Sequence, residues 1–508
     1  MADVEIYKID NLNLQLVAND TLINKIANHF SAFIKNKYFH PLVKSKRWDG
    51  KVFFLNKKSH IISIGFLKDL LCFCESHNYS YKLQFKIDDL INDISKDKLE
   101  LFYKSLFENT KYTPYDYQAK AVYLALKNKI GIIHACTGSG KSLMLYIIIR
   151  YLALKNKNIL LVVPSTSLCE QIRSDFLDYG WKDVDDNINI LYAGKKIDKN
   201  KKILISTWQS IFENNESFFK NVDILMVDEC HGARSVSIQK ISQKCKNAEC
   251  RIGVTGSMPP DPCEYKTVQS ALGRELIYIS SEKLIDRNIL SQITIANILL
   301  RYSQESIENC KKRSYPEEMN LILEHPLRNR IFKWIFDKIP DGQNSLILVN
   351  KINQLNSIKD FLEKNLDKKY KIKVITGRVK TENREEIRKE TEDETNVIIL
   401  ATYGTMSVGV NIKRLHNLIL GTPRKSYISI VQSIGRGLRT HEQKEKLIVF
   451  DIADDLSYER KITRGYRKGT IVIEKNYCMK QFDERLQIYT NVGFEYFTKK
   501  VNLNLIGR

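Results

Sequence analysis

Cysteine patterns that would staple a small secreted fold or clamp a metal are missing from this 508-residue chain. Its ten cysteines, Cys72, Cys74, Cys136, Cys169, Cys230, Cys245, Cys250, Cys263, Cys310 and Cys478, form no CxxC pair and sit beside no histidine cluster at zinc-finger spacing. They read as free thiols in a reducing cytoplasm. Proline and glycine are scarce, at 10 and 22 residues, which excludes low-complexity and disordered classes. Long apolar runs are missing too. The most apolar stretch, Leu143 to Leu154, is interrupted by Arg150 and falls well short of the roughly 18 apolar residues that span a bilayer, so a buried helix is expected there and no membrane partner. Met1-Ala2-Asp3-Val4-Glu5 has neither the charged-then-apolar character of a signal peptide nor an Arg-rich transit pattern, and export is not expected. Acidic residues are outnumbered, 59 against 80 Lys and Arg. The resulting net charge of +21 favours phosphate-rich polyanions as partners.

Hydrophobic residues make up 43% of the chain and aromatics 10%, ample for two to four cores of ordinary domain size. From about residue 112 to 260, short β-branched runs alternate with longer helical patterns. The runs are Ile130 to His134, Ile159 to Val163, Ile203 to Thr207, Ile224 to Asp228 and Ile252 to Thr255, which is the rhythm of a parallel sheet built from βαβ units. It restarts with Ser345 to Val349, Lys373 to Thr376, Val397 to Thr402, Leu418 to Gly421 and Leu447 to Asp451. Two α/β domains in tandem are the simplest account. A turn-rich break, Met258-Pro259-Pro260-Asp261-Pro262, and a connector with a strand at Ile293 to Leu300 lie between them.

The expected domains are therefore 1–105, a small α+β domain; 106–289 and 290–455, the two parallel-sheet domains; and 456–508, a basic C-terminal extension with helical patterning around Asp483 to Tyr496. Within the first, Lys35 to Lys58 holds eight basic residues and one acid, interleaved with Tyr38, Phe39, Trp48, Phe53 and Phe54. That mixture can bind phosphates and stack against bases. Arg47, Trp48 and Lys51 are its candidate nucleic-acid contacts.

Three motifs carry chemistry. Ile130 to Ser142 reads as strand, glycine-bearing loop and helix start, the setting of a phosphate loop. Thr137, Gly138, Ser139 and Gly140 can turn backbone N–H groups inward, Lys141 can reach the outer phosphates of ATP, and the Ser142 hydroxyl can face Mg²⁺. Ala135 stands where the usual pattern has its first glycine. The second motif, Ile224 to His231, is an apolar strand ending in Asp228-Glu229-Cys230-His231. Asp228 is expected to hold Mg²⁺, Glu229 to orient and deprotonate the attacking water, and His231 to couple the nucleotide site to a neighbouring strand or domain. The third, Gln432 to Arg439, presents Arg436 and Arg439 one helical step apart, suited to transition-state charge on a triphosphate.

These residues, in this order, resemble the superfamily-two helicases of the DExH type over roughly residues 112 to 452. That resemblance implies two RecA-like domains. It also implies adenine reading by Tyr117 and Gln118, strand contact by Pro164, Ser165, Thr207 and Gln209, and coupling by Thr255-Gly256-Ser257, whose central Gly departs from the common form. In the second half it implies backbone contact by Asn350, Arg378 and Thr402, nucleotide contact by Gly409 and a catalytic part for Gln432. The flanks, with Arg47-Trp48-Asp49-Gly50-Lys51 and the closing Val501-Asn502-Leu503, are similar to the UvsW helicases of T-even-like bacteriophages. This implies an ATP- and Mg²⁺-dependent DNA helicase acting as a monomer in the host cytoplasm. Its substrates would be branched DNA and RNA–DNA hybrids in recombination, replication and repair, alongside single-strand-binding or recombination proteins. The alternatives are an RNA helicase, a restriction-complex motor with the same core, and a non-catalytic nucleic-acid binding protein.

Overall fold

The computed structural model describes residues 2–191, 198, 200–234, 236–377, 386–387, 390–406, 414–423, 446–462 and 469–506. The chain divides into two compact units, Met1–Ile279 and Ser280–Arg508.

The first unit opens with a five-stranded sheet of β1 (Val4–Lys8), β2 (Asn13–Val17), β5 (Leu55–Asn56), β6 (Ile61–Ser63) and β7 (Tyr81–Leu83), in the order β5-β6-β2-β1-β7. The alternation of apolar and polar residues in β1 and β2 turns Val4, Ile6, Leu14 and Leu16 to one face. There they pack with Ile23, Ile26 and Ala27 of the helix Asp20–His29, whose first turn is capped by the Asn19 side chain accepting from Leu22 N–H. A separate ribbon, β3 (Ser31–Phe33) paired antiparallel with β4 (Lys51–Phe53), carries residues 34–50 as an insert.

The unit's second sheet has seven strands: β8 (Ile130–Ala135), β9 (Ile159–Val163), β10 (Ile188–Leu191), β11 (Ile203–Thr207), β12 (Ile224–Asp228), β13 (Cys250–Thr255) and β14 (Glu275–Ile279). All pair parallel, in the order β10-β11-β9-β12-β13-β8-β14. Continuous burial of Ile159–Val163 and Cys250–Thr255 follows from helices covering both faces. The apolar stretch after the phosphate loop is the helix Lys141–Ala153, buried over most of its length. Among the described residues no helix is long and apolar enough to cross a membrane.

Residues 1–105 share this compact unit with the parallel sheet. Ser63 Oγ donates to Ser270 O (2.5 Å), Asn11 Nδ2 to Asn247 O (2.9 Å), and Gln269 Nε2 to Gly65 O (3.4 Å) and Asp69. Gly65 is needed here, because a Cβ at this position would lie 2.3 Å from Gln269 O.

The second unit is built on β15 (Gln292–Arg301), β16 (Ser345–Val349), β17 (Lys371–Ile375), β18 (Val397–Thr402), β19 (Asn417–Leu420), β20 (Lys446–Asp455) and β23 (Glu495–Asn502). They pair parallel in the order β17-β18-β16-β19-β20-β15-β23, and a small ribbon of β21 (Tyr458–Lys461) and β22 (Ile471–Glu474) precedes the last helix. The expected boundary near residue 290 falls after the helix Ser281–Asp286, which the structure groups with the second unit. The C-terminal extension carries the expected helix, at Tyr477–Val492, and beyond it β23 completes the sheet edge against β15.

One buried ion pair made by this extension, and a second that its Asn476 joins, tie it to β20. Arg485 Nε donates to Asp451 Oδ2 (2.8 Å), with Tyr489 OH on the same oxygen. Arg328 Nε and Nη2 each donate to Asp454 (2.9 Å), Tyr302 OH donates to it as well (2.7 Å), and Asn476 Nδ2 reaches the Asp454 carbonyl and Glu318 Oε1. Asp454→Asn would leave the Arg328 guanidinium uncompensated in a site that excludes water. It is expected to destabilise the second unit by about 3–5 kcal/mol, seen as a lower urea midpoint; an unchanged midpoint would contradict the assignment.

Candidate functional site

In a parallel sheet every strand ends at the same edge, and loops there meet one another. At the edge of the first unit's sheet, β8 runs into the phosphate loop. Gly138 and Gly140 take φ of +87° and +82°. A Cβ on Gly140 would sit 2.2 Å from Gln118 Nε2, so glycine is required on steric grounds as well as conformational ones. Tyr117 OH (3.1 Å) and Gln118 Nε2 (2.8 Å) both donate to Ser139 O, while Gln118 Oε1 accepts from Tyr115 N–H (2.8 Å). The structure thus brings the Tyr117-Gln118 pair onto the loop backbone, holding its shape. Lys141 Nζ folds back to Ala135 O (3.3 Å) and Cys136 O (3.4 Å), and Ser142 Oγ bonds Tyr179 OH (2.8 Å).

Two strands away, β12 ends in Asp228 and Glu229. Glu229 has φ of +48°, a left-handed conformation that costs a non-glycine residue about 1–3 kcal/mol and concentrates at working sites. Its Oε2 meets Thr255 Oγ1 (3.3 Å), Gly256 N–H (3.5 Å) and His231 Nδ1 (3.3 Å), and His231 Nδ1 also lies 3.0 Å from Thr255 Oγ1. Glu229, His231 and the Thr255-Gly256-Ser257 segment therefore form one hydrogen-bonded cluster. Burial and the adjacent Glu229 charge push the Asp228 carboxyl up to about 7. Burial acts on Glu229 in the same sense, but Lys141 and His231 outweigh it and hold that carboxylate well below its usual range. An ionised Glu229 is suited to accept a proton, and the Lys141 ammonium to neutralise phosphate charge.

Among the described residues no group of three or more His, Cys, Asp or Glu could hold a metal by itself. Asp228 and Ser142 offer hard oxygen donors, which fits a Mg²⁺ ion that completes its shell with phosphate oxygens and water.

The expected strand-contact residues gather along the same edge. Thr207 pairs with Val163 across β11 and β9, so Pro164 and Ser165 lie beside Trp208 and Gln209. Pro164 and Gln209 are exposed, whereas Thr207 is buried with its hydroxyl on Ser210 Oγ (2.9 Å), which makes Thr207 a brace for the turn. In the second unit Thr402 pairs with Val349, placing Asn350 next to it at that sheet's edge. Arg378, Gly409, Gln432, Arg436 and Arg439 lie outside the described residues.

In the 34–50 insert, Arg47 is exposed, but Trp48 is half-buried: its indole N–H donates to Lys51 O (3.0 Å) and its ring packs edge-on against His40. Trp48 shapes the insert. The open aromatic surface comes instead from Tyr38 and Phe39, 74% and 76% exposed, with Phe33 and Phe53 on the ribbon. Ammonium groups cover these rings, Lys37 at 3.6 Å from the Phe33 centroid and Lys57 at 4.1 Å from that of Phe53. The sequence showed these aromatics among lysines, but not which of them the fold would leave exposed.

Comparison with known proteins accords with this geometry. Residues 3–85 match the family model described as DNA helicase UvsW, N-terminal. Residues 111–259 match that of the type III restriction enzyme res subunit, and residues 328–441 the helicase conserved C-terminal domain. The ATP-dependent DNA helicase uvsW of Enterobacteria phage T4 is 27% identical over 99% of this chain and 100% of its own. The crystal structure of T4 UvsW superposes with a TM-score of 0.50 at 25% identity, covering 99% of this chain and 100% of that one. A fragment of an HsdR subunit of a type I restriction enzyme from Vibrio vulnificus, 16% identical over 82% of this chain and 73% of its own, shares the fold with a TM-score of 0.57.

The site makes a sharp prediction for nucleotide chemistry. Glu229→Gln keeps the shape of the side chain but removes the base, so kcat for ATP hydrolysis should fall by about 10²–10⁴ while a fluorescent ATP analogue still binds. Retained turnover would remove Glu229 from the reaction.

Proposed function

We propose that this chain, whose helicase domains resemble those of UvsW, is an ATP-dependent superfamily-two DExH helicase that remodels branched DNA, moving four-way junctions, regressing forks and displacing RNA from hybrids. The carrying observation is the exposed ring-and-ammonium surface of Tyr38, Phe39, Phe33 and Phe53, which lies inside the segment matched by the UvsW N-terminal model. Bases stack on such rings, and the surrounding lysines and Arg47 bind phosphates. A tracking motor alone has no need of this second surface.

At the nucleotide site the ATP phosphates take the place of Ala135 O and Cys136 O as partners of Lys141, at the N-terminus of the helix Lys141–Ala153. Asp228 and Ser142 would hold a Mg²⁺ ion, which would supply charge neutralisation there. Glu229 takes the proton of the attacking water. His231 and Thr255, bonded to that carboxylate, sense whether it is charged and whether phosphate is present. Gln432, Arg436 and Arg439 act on the same triphosphate. Pro164, Ser165 and Gln209 of the first unit, and Asn350, Arg378 and Thr402 of the second, are the residues proposed to contact the DNA backbone. The protein works as a monomer in the host cytoplasm, where recombination and single-strand-binding proteins supply its branched substrates.

The test runs a four-way junction, a fork and tailed duplexes in parallel with ATP, and uses Lys141→Ala as control. Conversion of junction and fork, lost in the variant, is expected. Activity confined to tailed duplexes or RNA would overturn the branched-DNA reading. Tyr38→Ala with Phe39→Ala should weaken fork binding by about 1–3 kcal/mol per stacked base, and Arg47→Ala should lower the salt slope by about one. Unchanged fork affinity would exclude the insert from the interface.

A further inference from the structure

The reaction site and the basic insert sit on different sheets of the first unit, and one helix touches both surroundings. Pro262–Leu272 begins just after Ser257-Met258-Pro259-Pro260, with Asp261 Oδ1 capping it by accepting from Cys263 and Glu264 N–H (3.0 Å each). On its reaction side, Gln239 Nε2 donates at once to Ala233 O (2.5 Å) and to Thr267 O (2.9 Å). Ala233 belongs to the turn Cys230–Arg234 that follows the two acids, so a single amide ties that turn to the helix. On the opposite side, Lys266 Nζ donates to His29 O (2.9 Å) and Ser31 O (3.2 Å), and its ammonium lies 6.0 Å from the Phe30 ring.

Those two carbonyls are well placed to matter. His29 is the last residue of the helix Asp20–His29, where carbonyls lack helical partners and the dipole favours a cation. Ser31 opens β3, whose partner β4 closes the insert bearing Tyr38, Phe39 and Arg47. Lys266 thus grips the root of the ribbon at its hinge with the N-terminal sheet. The contacts of Ser63 and Gly65 with the far end of the same helix hold that sheet in place, leaving Lys266 as the helix's polar hold on the ribbon itself.

We propose that Lys266 is a positioning residue that sets the basic insert according to the state of the nucleotide site, through Gln239 and the helix Pro262–Leu272. The inference rests on the branched-DNA reading above for the role of the insert. Movement of the Glu229–His231–Thr255 cluster shifts the Cys230–Arg234 turn, the helix follows through Gln239 and the chain after Ser257, and Lys266 carries the displacement to His29 and Ser31. DNA binding at the insert then acts back on hydrolysis by the same linkage.

The experiment compares wild type, Lys266→Ala and Lys266→Arg for single-strand-stimulated hydrolysis, for junctions converted per ATP hydrolysed, and for fork affinity with ADP and with a non-hydrolysable ATP analogue. Lys266→Ala should keep single-strand-stimulated kcat within about twofold, whereas its conversion per ATP should fall about tenfold and its fork affinity should no longer depend on the nucleotide. Lys266→Arg should restore both, since a guanidinium can reach the same carbonyls. Wild-type conversion per ATP in Lys266→Ala overturns the proposal. Should the alanine variant not fold, hydrogen exchange in the wild type decides: the amides of Ile34, bonded to Gly50 O, and Phe54, bonded to Phe30 O, should change protection between ADP and the ATP analogue. Equal protection would overturn the coupling. A wild-type protein that converts no junction would instead refute the functional reading, with the exchange result still reporting whether the ribbon gripped by Lys266 responds to nucleotide.

Discussion

The charge balance between Lys141 and the adjacent acids Asp228 and Glu229 is the constraint around which the first unit is arranged. Three ionisable groups have been gathered at a sheet edge that is largely withdrawn from water, and such groups are tolerated only when their charges answer one another. Lys141 and His231 keep Glu229 ionised while burial and that charge keep Asp228 inclined to hold its proton. The arrangement is poised for a polyanion and a divalent cation, which would supply the charges it lacks. The left-handed backbone at Glu229 fits this picture, since the parallel sheet and the Cys230–Arg234 turn hold it in a conformation it would not choose alone.

Around this centre the nucleotide-site residues lie on the parallel sheet of the first unit, and the exposed basic-aromatic surface lies on the ribbon β3–β4 and its insert. Parallel sheets place loops along an edge, where exposed Pro164, Gln209 and Asn350 can meet a strand without disturbing the core. The ribbon β3–β4 and the insert between its strands expose aromatic rings beside lysines, the surface on which the proposed recognition of branched DNA rests. In the second unit, the C-terminal extension is bound to β20 by the Arg485–Asp451 pair and by Asn476, which reaches the Asp454 carbonyl beside the Arg328–Asp454 pair.

Much of this was legible in the residues. The strands β8, β9, β11, β12 and β13 stand out as β-branched runs because burial on both faces removes polar alternation, and the phosphate loop is fixed by the spacing of Gly138, Gly140 and Lys141. Other elements were hidden for physical reasons. The short strand β10 lies among Asp and Asn residues and β23 is almost wholly exposed, so neither shows the long apolar run of a central strand; β14 does carry a short apolar run, Leu276 to Ile279, just after the turn at Gly273. Trp48 is marked by its place among basic residues and Thr207 by its motif, but tertiary packing decides exposure: the structure half-buries Trp48 and buries Thr207, while Tyr38 and Phe39 face solvent. Lys266 and Gln239 carry no motif, since their meaning comes only from carbonyls that the fold brings to them.

The central claim is that hydrolysis at Lys141, Asp228 and Glu229 is tied to DNA. Its most direct test is the rate of ATP hydrolysis titrated with forked DNA and, separately, with RNA of matched sequence and length. The account predicts a saturable rise with the fork that Glu229→Gln abolishes, and a much smaller rise with RNA. Hydrolysis indifferent to DNA, or stimulated by RNA alone, would contradict it.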